Sequence, residues 1–453
     1  MPSSRTHVKS HTISLLFVLF LALVCLHPAR AEENAQVVAN PTETTVNSAA
    51  ASNKPNESPK IWTKEELQQL QKKAEKGDAD AQYELGVCLR VGNGMAKDPA
   101  AAIQWYQKAA NQGHAKAQNS IGVCYITGTG IEKNPAKAVP WFRKSAELGY
   151  SHAQYNLGTL YSKGYQVDLD KTEALRWFTK GAEQGYAPAQ YEVGCSYYFG
   201  KGVGQDKVEA VRWFQKAAEQ GYANAERDLA ICYFRGEGVE KSCTESFRWV
   251  QKAAEQNDAD SQYLLGILYM DGCGCAKDAE KAIILFRKAA EQGHTNSQRM
   301  LGVCYEEGTG VEVDEEEAVR WYRKSAEQGN ADAQCILGVC YTNSIGVEKN
   351  ATLAVRWFRN AADQGNANAQ FYLGLAYHYG RGVEEDHQEA IRLYKLSADQ
   401  GNASAQCNLG FMYRNGMGTD PDEDEAMKWY HKAAAQGNTK AIEVLKKSTE
   451  SSK

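Results

Sequence analysis

Catalytic signatures are missing from this chain of 453 residues. Beyond residue 31 the histidines are His114, His152, His294, His378, His387 and His431, and none belongs to an H-E-x-x-H or a triad-like set. Gly128-Thr129-Gly130 and its repeats have no strand before them and no G-K-[ST] after them, so they are not phosphate loops. Acidic runs such as Glu315-Glu316-Glu317 open helices, where they suit the dipole. Basic stripes are missing too. The formal net charge is -5, and the lysines and arginines alternate with acids, which argues against nucleic acid as a partner. No histidine lies near the cysteines of Cys273-Gly274-Cys275, and that spacing is not a usual zinc pattern. No metal, no cofactor and no enzymatic activity are therefore expected.

Long hydrophobic runs are also scarce. The one from Ile13 to Cys25 is too short to cross a bilayer. Arg5 and Lys9 precede it, and His27-Pro28-Ala29-Arg30-Ala31 follows as a small-x-small cleavage pattern. Residues 1–31 thus read as a secretory signal peptide cut after Ala31. The mature protein is then secreted or periplasmic, with no integral membrane segment. Residues 32–60 are rich in Ala, Asn, Ser, Thr, Glu and Pro without apolar periodicity, and they read as a disordered linker.

What is present is a repeat. Glycines recur every 36 residues at 77, 113, 149, 185 and 221 and then at 293, 329, 365, 401 and 437, with Asn257 standing in once. Each unit reads as two helices. In the unit from Gly185, Ala189, Val193, Gly194 and Tyr197 share one helical face, and Gly200-Lys201-Gly202 ends that helix. The second helix begins at a good N-cap in every unit: Asp98, Asn134, Asp170, Asp206, Ser242, Asp278, Asp314, Asn350, Asp386 and Asp422. Glu173, Glu209, Glu245, Glu317, Glu389 and Glu425 follow three residues later, the pattern of a capping box. A large ring recurs in the second helix at Trp105, Trp141, Trp177, Trp213, Trp249, Trp321, Trp357 and Trp429. Glycine recurs inside the first helix, as at Gly86, Gly194 and Gly302, where it costs about 1 kcal/mol against alanine. The expected packing seats tryptophan against these glycines and the recurrent alanines. One unit cannot bury such a face alone, so units must stack.

Ala187-x-Ala189-Gln190-x-x-Val193-Gly194-x-x-Tyr197, Gly200-x-Gly202-Val203, Ala210-x-x-Trp213-Phe214 and Ala217-Ala218-x-Gln220-Gly221 together resemble the Sel-1-like repeat family, a branch of the tetratricopeptide superfamily. The resemblance implies an all-α fold: a right-handed α/α superhelical solenoid of about ten 36-residue helix-turn-helix repeats. It would span residues 61–447, with polar caps at both ends and a tail at 448–453. The leading cap begins at Thr63 and Glu66, and the closing helix runs from Asn438 to Lys447. The resemblance further implies a scaffold or adaptor that binds a protein or peptide on the concave face. A cysteine-rich bacterial branch of the family is linked to penicillin binding. Its cysteine pairing is not shared here, which leaves an envelope enzyme or β-lactam-type binder as a second reading. A lumenal adaptor in protein quality control is a third, and Ser451-Ser452-Lys453 is no retention signal for it.

The first-helix face opposite the consensus residues would line the groove. Its aromatic and arginine content is the composition of binding hot spots, and the candidates are Tyr155, Tyr191, Tyr198, Arg227, Phe234 and Tyr263. Cys88, Cys124, Cys232, Cys304 and Cys340 occupy one repeat position and read as small buried apolar groups. Cys243, Cys273 and Cys275 are the candidate disulfide cysteines, Cys243 bridging one of the other two.

Overall fold

The computed structural model describes residues 62–451. The expected signal peptide and linker lie outside the described residues. Among those described there are 22 α-helices, from Lys64–Glu75 to Thr439–Ser451, and no strand. The chain divides into two compact units, residues 1–261 and 262–453, each assembled from the same helix hairpin.

In the first unit, the hairpin of Ala187–Phe199 and Lys207–Ala218 shows how the consensus works. Gly200 ends the first helix in the left-handed region at φ 68°. Gly202 lies so close to the preceding hairpin that a Cβ there would meet the Lys171 carbonyl oxygen at 2.2 Å, so only glycine fits. Asp206 then starts the second helix. Its carboxylate accepts from the amides of Val208 and Glu209, and its own amide donates to the Tyr197 carbonyl at 2.9 Å. That last bond recurs from Asp98 to Leu89, Asp170 to Tyr161, Asp314 to Tyr305 and Asp422 to Tyr413.

This bond corrects one expectation. A capping box needs the N-cap amide free to donate to the third-position glutamate. In the repeats that amide is already committed to the end of the first helix. The glutamates turn outward instead, to a cation three residues on: Glu173 to Arg176, Glu209 to Arg212, Glu317 to Arg320 and Glu425 to Lys428. A full capping box forms at Thr63 and Glu66, at the start of the first described helix.

The packing partner of the helix glycines is also corrected. The ring over the glycine belongs to the residue after the tryptophan position. A Cβ on Gly86 would lie 2.6 Å from Tyr106, on Gly194 2.6 Å from Phe214, and on Gly158 2.7 Å from Phe178. This ring closes its own hairpin. The tryptophans face the other way, into the core shared with the helix before their hairpin: Trp105 packs in a cluster with Leu67 and Ala74, and Trp141 in one with Ala102 and Tyr106. Their outer faces carry a lysine ammonium, as Lys108 over Trp105 at 3.8 Å and Lys216 over Trp213 at 3.9 Å.

A buried amide thread joins successive helices. The consensus glutamine of the first helix donates to an alanine carbonyl eight residues back, as Gln82 to Ala74 at 3.0 Å and Gln190 to Ala182 at 3.2 Å, while Glu226 takes its place in one repeat and only accepts, from Gln256 at 2.8 Å. Its oxygen accepts from a glutamine thirty residues on, as from Gln112 at 2.8 Å and from Gln220 at 2.7 Å. Leu148 interrupts the thread. It occupies the donor glutamine's place, is 57% exposed, and leaves the buried Oε1 of Gln118 without a partner. Leu148→Gln is expected to stabilise this hairpin by about 1 kcal/mol. A thermal midpoint that stays put or falls would show that the orphaned oxygen carries no such cost.

The second unit repeats these devices. Gln292 donates to Gln262 at 2.8 Å, Gln364 to Gln334 at 2.8 Å and Gln436 to Gln406 at 2.8 Å. Tyr322 covers Gly302, and Phe358 covers Gly338. Trp429 packs with Leu409 and Met412 of the hairpin core. The closing helix Thr439–Ser451 continues past Lys447.

Candidate partner-binding face

The first-helix N-termini set up the face. Most are capped by a polar side chain: Asp78, His114, His294, Asn330, Asn366 and Asn402 each accept from the helix's third amide. Three consecutive helices in the first unit give this up. Their N-cap residues are Tyr150, Tyr186 and Tyr222, with no side-chain cap bond. A lost cap costs about 1 kcal/mol. The rings are half-buried in a row with their neighbours. Tyr150 stacks on His152 at 4.9 Å, and His152 meets Tyr186 at 4.2 Å. Tyr155 meets Tyr186 edge-on at 5.7 Å, and Tyr191 meets Tyr222 at 5.4 Å.

Beneath the row lies a buried ionic base. Arg227 Nε donates to Asp228 Oδ1 at 2.9 Å, and the Tyr191 hydroxyl donates to Asp228 Oδ2 at 2.9 Å. Arg227 Nη1 also donates to Asn224 Oδ1 at 3.2 Å and lies 3.5 Å from Asp258 and 3.6 Å from Asp260. The base satisfies two charges that could not otherwise be buried.

The six candidate groove residues therefore occupy different depths. Tyr155 and Phe234 are half-buried. Tyr191, Tyr198 and Arg227 are buried beneath the first-unit face, and Tyr198 donates to Glu237. Tyr263 is buried in the second unit against Phe286 and His294. The half-exposed N-cap tyrosines Tyr150, Tyr186 and Tyr222 and the adjacent His152 were not among them. Their signal was present in the sequence: tyrosine follows the unit glycine at 149, 185 and 221, where other repeats place Asp, His or Asn.

Burial shapes the titrations of this face. It raises Tyr155 and Tyr191 well above the phenol range, aided at Tyr155 by Tyr222 and at Tyr191 by Asp228. Burial also raises Glu192, which Lys163 and Lys201 draw back down. His152 is pushed down to about 4, first by burial and then by Lys116. An unfolded histidine titrates near 6.5, so between about pH 6.5 and 4 the unfolded chain binds the extra proton. The stability that neutral His152 contributes is thus complete above 6.5 and is lost as the pH falls to 4. His152→Phe keeps the ring stack and is expected to flatten that part of the pH dependence. Urea midpoints at pH 7 and pH 5 test this, and an unaltered difference between them would clear His152.

Elsewhere, Cys88, Cys124, Cys232, Cys304 and Cys340 are buried. Cys243 and Cys273 are disulfide-bonded, and Cys275 is a free thiol. In the second unit a cleft of about 380 Å³ is lined by Arg359, Asp363, Tyr377, Glu389, Arg392 and Leu396. Both of its arginines are already paired, Arg359 with Tyr377 and Arg392 with Glu389. Among the described residues no group of three His, Cys, Asp or Glu side chains is placed to hold a metal ion. No helix among them is long and apolar enough to cross a membrane.

Tandem helix hairpins with a continuous side-chain face define a helical repeat protein of the tetratricopeptide kind. The Sel1 repeat model matches ten consecutive segments, from 79–114 and 115–150 through to 403–438. The chain belongs to the Sel1 repeat family. It is similar to a protective antigen of uropathogenic Escherichia coli, whose crystal structure displays an SLR fold, with 36% identity, 85% of this chain and 91% of that one covered, and a TM-score of 0.57. It is also similar to a Sel1 repeat protein from Oxalobacter formigenes, with 32% identity, 71% and 95% covered, and a TM-score of 0.53. No curated protein matches the chain. Sel1 repeat proteins are generally protein-interaction scaffolds, and their fold is typically non-catalytic.

Proposed function

We propose that this protein is a secreted or periplasmic scaffold that holds a protein partner on the first-helix face of its repeats 151–186, 187–222 and 223–258. In an α-helical solenoid this is the concave side. One observation carries the reading: three adjacent helices forgo a side-chain cap and present tyrosine instead. A cost of about 1 kcal/mol at each cap is retained for rings that stay only partly buried. Half-exposed tyrosines over a rigid base suit a protein interface, because their rings offer large contact area at small entropic cost. Tyr155 belongs to this face, while Tyr191, Tyr198 and Arg227 support it from below. The disulfide-bonded Cys243 and Cys273 favour an oxidising compartment, in keeping with export.

The test replaces all three tyrosines by the cap that other repeats use, as Tyr150→Asn, Tyr186→Asn and Tyr222→Asn. Capping by Asn protects the fold, so helicity should be retained. Affinity capture from the native compartment, compared by mass spectrometry, is expected to lose the partner in the triple variant. A partner set identical to that of the unaltered protein would refute the assignment of this face.

A further inference from the structure

Leu393 breaks the tryptophan series of the second helices. Eight of the ten repeats place an indole at this position, and Trp177 shows the socket filled. Its ring is 8% exposed and packs with Phe142, Ala146 and Leu157. The Lys180 ammonium covers the outer face at 4.1 Å. Arg143 donates to the Tyr161 hydroxyl at 2.7 Å, and Arg176 lies 3.4 Å from Glu173. The same walls recur six repeats on, in the second unit. Leu393 packs with Phe358, Ala362 and Leu373, Arg359 donates to Tyr377 at 2.9 Å, and Arg392 donates to Glu389 at 2.6 Å. The occupant and its cover are what differ. Leucine replaces the indole at 393, and Leu396, 41% exposed, replaces the lysine. The cleft of about 380 Å³ opens at this place, with Leu393, 2% exposed, among the residues that line it. Leu285 also stands in for tryptophan, but it keeps Lys288 and is half-buried.

The volume lies at the small end of the range for ligand sites and has room for a bicyclic ring. Guanidinium N–H bonds lie in the plane of the group. Pairing with Tyr377 and Glu389 therefore holds Arg359 and Arg392 in place without using their faces, which stack on aromatic rings. Their charge complements the electron-rich face of an indole, as the lysine does in the other repeats. We propose that this cleft is a receptor for a tryptophan side chain of a partner protein, which takes the place that the chain's own indole has elsewhere in the array. Leu396 at the rim offers an apolar contact to the segment that carries the ring, a contact that a free indole would leave unused. The site uses different residues from the tyrosine face of the first unit, and either stands without the other.

The whole protein is titrated, with saturation-transfer NMR as the readout, with a Gly-Ser peptide carrying one central tryptophan, with the same peptide carrying leucine, and with indole. The tryptophan peptide is expected to bind at least tenfold more tightly than the leucine peptide and than indole. The double variant Leu393→Trp with Leu396→Lys restores the socket of the other repeats. It should lose that preference while keeping its circular dichroism and a thermal midpoint no lower than that of the unaltered protein. Equal binding of the tryptophan and leucine peptides by the unaltered protein would overturn the proposal with no variant needed. A double variant that keeps its thermal midpoint and still prefers the tryptophan peptide would overturn it by moving the binding elsewhere. A double variant that melts earlier would overturn it by showing that the cleft does not admit an indole. Indole binding as tightly as the tryptophan peptide would assign the cleft to a small aromatic molecule and overturn the partner side chain.

Discussion

Arg227→Met is expected to cost the first unit about 3–5 kcal/mol, because it strands a buried negative charge. Asp228 is 2% exposed, and Arg227 is its charged partner at 2.9 Å. After the substitution, the Tyr191 hydroxyl alone would remain to support that carboxylate. Asp258 and Asp260 would lose the same cation, which they approach at 3.5 and 3.6 Å. The double variant Arg227→Met with Asp228→Asn removes the charge and keeps an acceptor for Tyr191, so most of the loss should return. Repeat arrays need not unfold in one step, so the measurement must be local. Amide exchange in the helices Ala187–Phe199 and Ala223–Arg235 reads it directly. Protection there unchanged by Arg227→Met would mean that Asp228 is not held by this pair.

Gly302→Ala is the second large effect, and its sign runs against helix propensity. Alanine is the better helix former by about 1 kcal/mol. Yet a Cβ at this position would lie 2.5 Å from both Cδ1 and Cε1 of Tyr322, a ring that is 1% exposed and cannot swing clear. Forced overpacking of this kind costs about 1–3 kcal/mol, so net destabilisation is expected. Gly410 provides the internal control: a Cβ there would meet the Tyr430 ring at 3.2 Å, and Gly410→Ala should cost less. Urea unfolding of the two variants side by side decides the matter. Equal effects, or a stabilised Gly302→Ala, would show that the ring does not need the hollow.

The period, the hairpin and both kinds of helix boundary were legible in the sequence because they depend on local chemistry. An aspartate before a helix and a glycine after it act on their own neighbours in the chain. The errors arose where two helices compete for one group. Glu173 reads as half of a capping box until the Asp170 amide is seen to be bonded to Tyr161. Trp213 reads as the knob for Gly194 until Phe214 is found over it, with the indole turned to the hairpin before. Adjacent residues on a helix point about 100° apart, and the repeat pattern alone does not say which of the two faces inward. The face itself was half legible. Tyr155 and Tyr191 occupy the same repeat position, but the second is drawn down by Asp228, a residue of the following repeat.

The amide thread has a bearing on how such a chain can change its length. Every link reaches either eight residues back or thirty residues forward. Excising or duplicating one whole period between equivalent points would therefore give each severed link a chemically equivalent partner. Unequal recombination within the gene can add or drop a hairpin without leaving a faulty seam, and the number of repeats is free to drift between relatives. Irregular positions such as Leu148 and the run of three tyrosine caps are the places where such an exchange would change the chemistry of the seam.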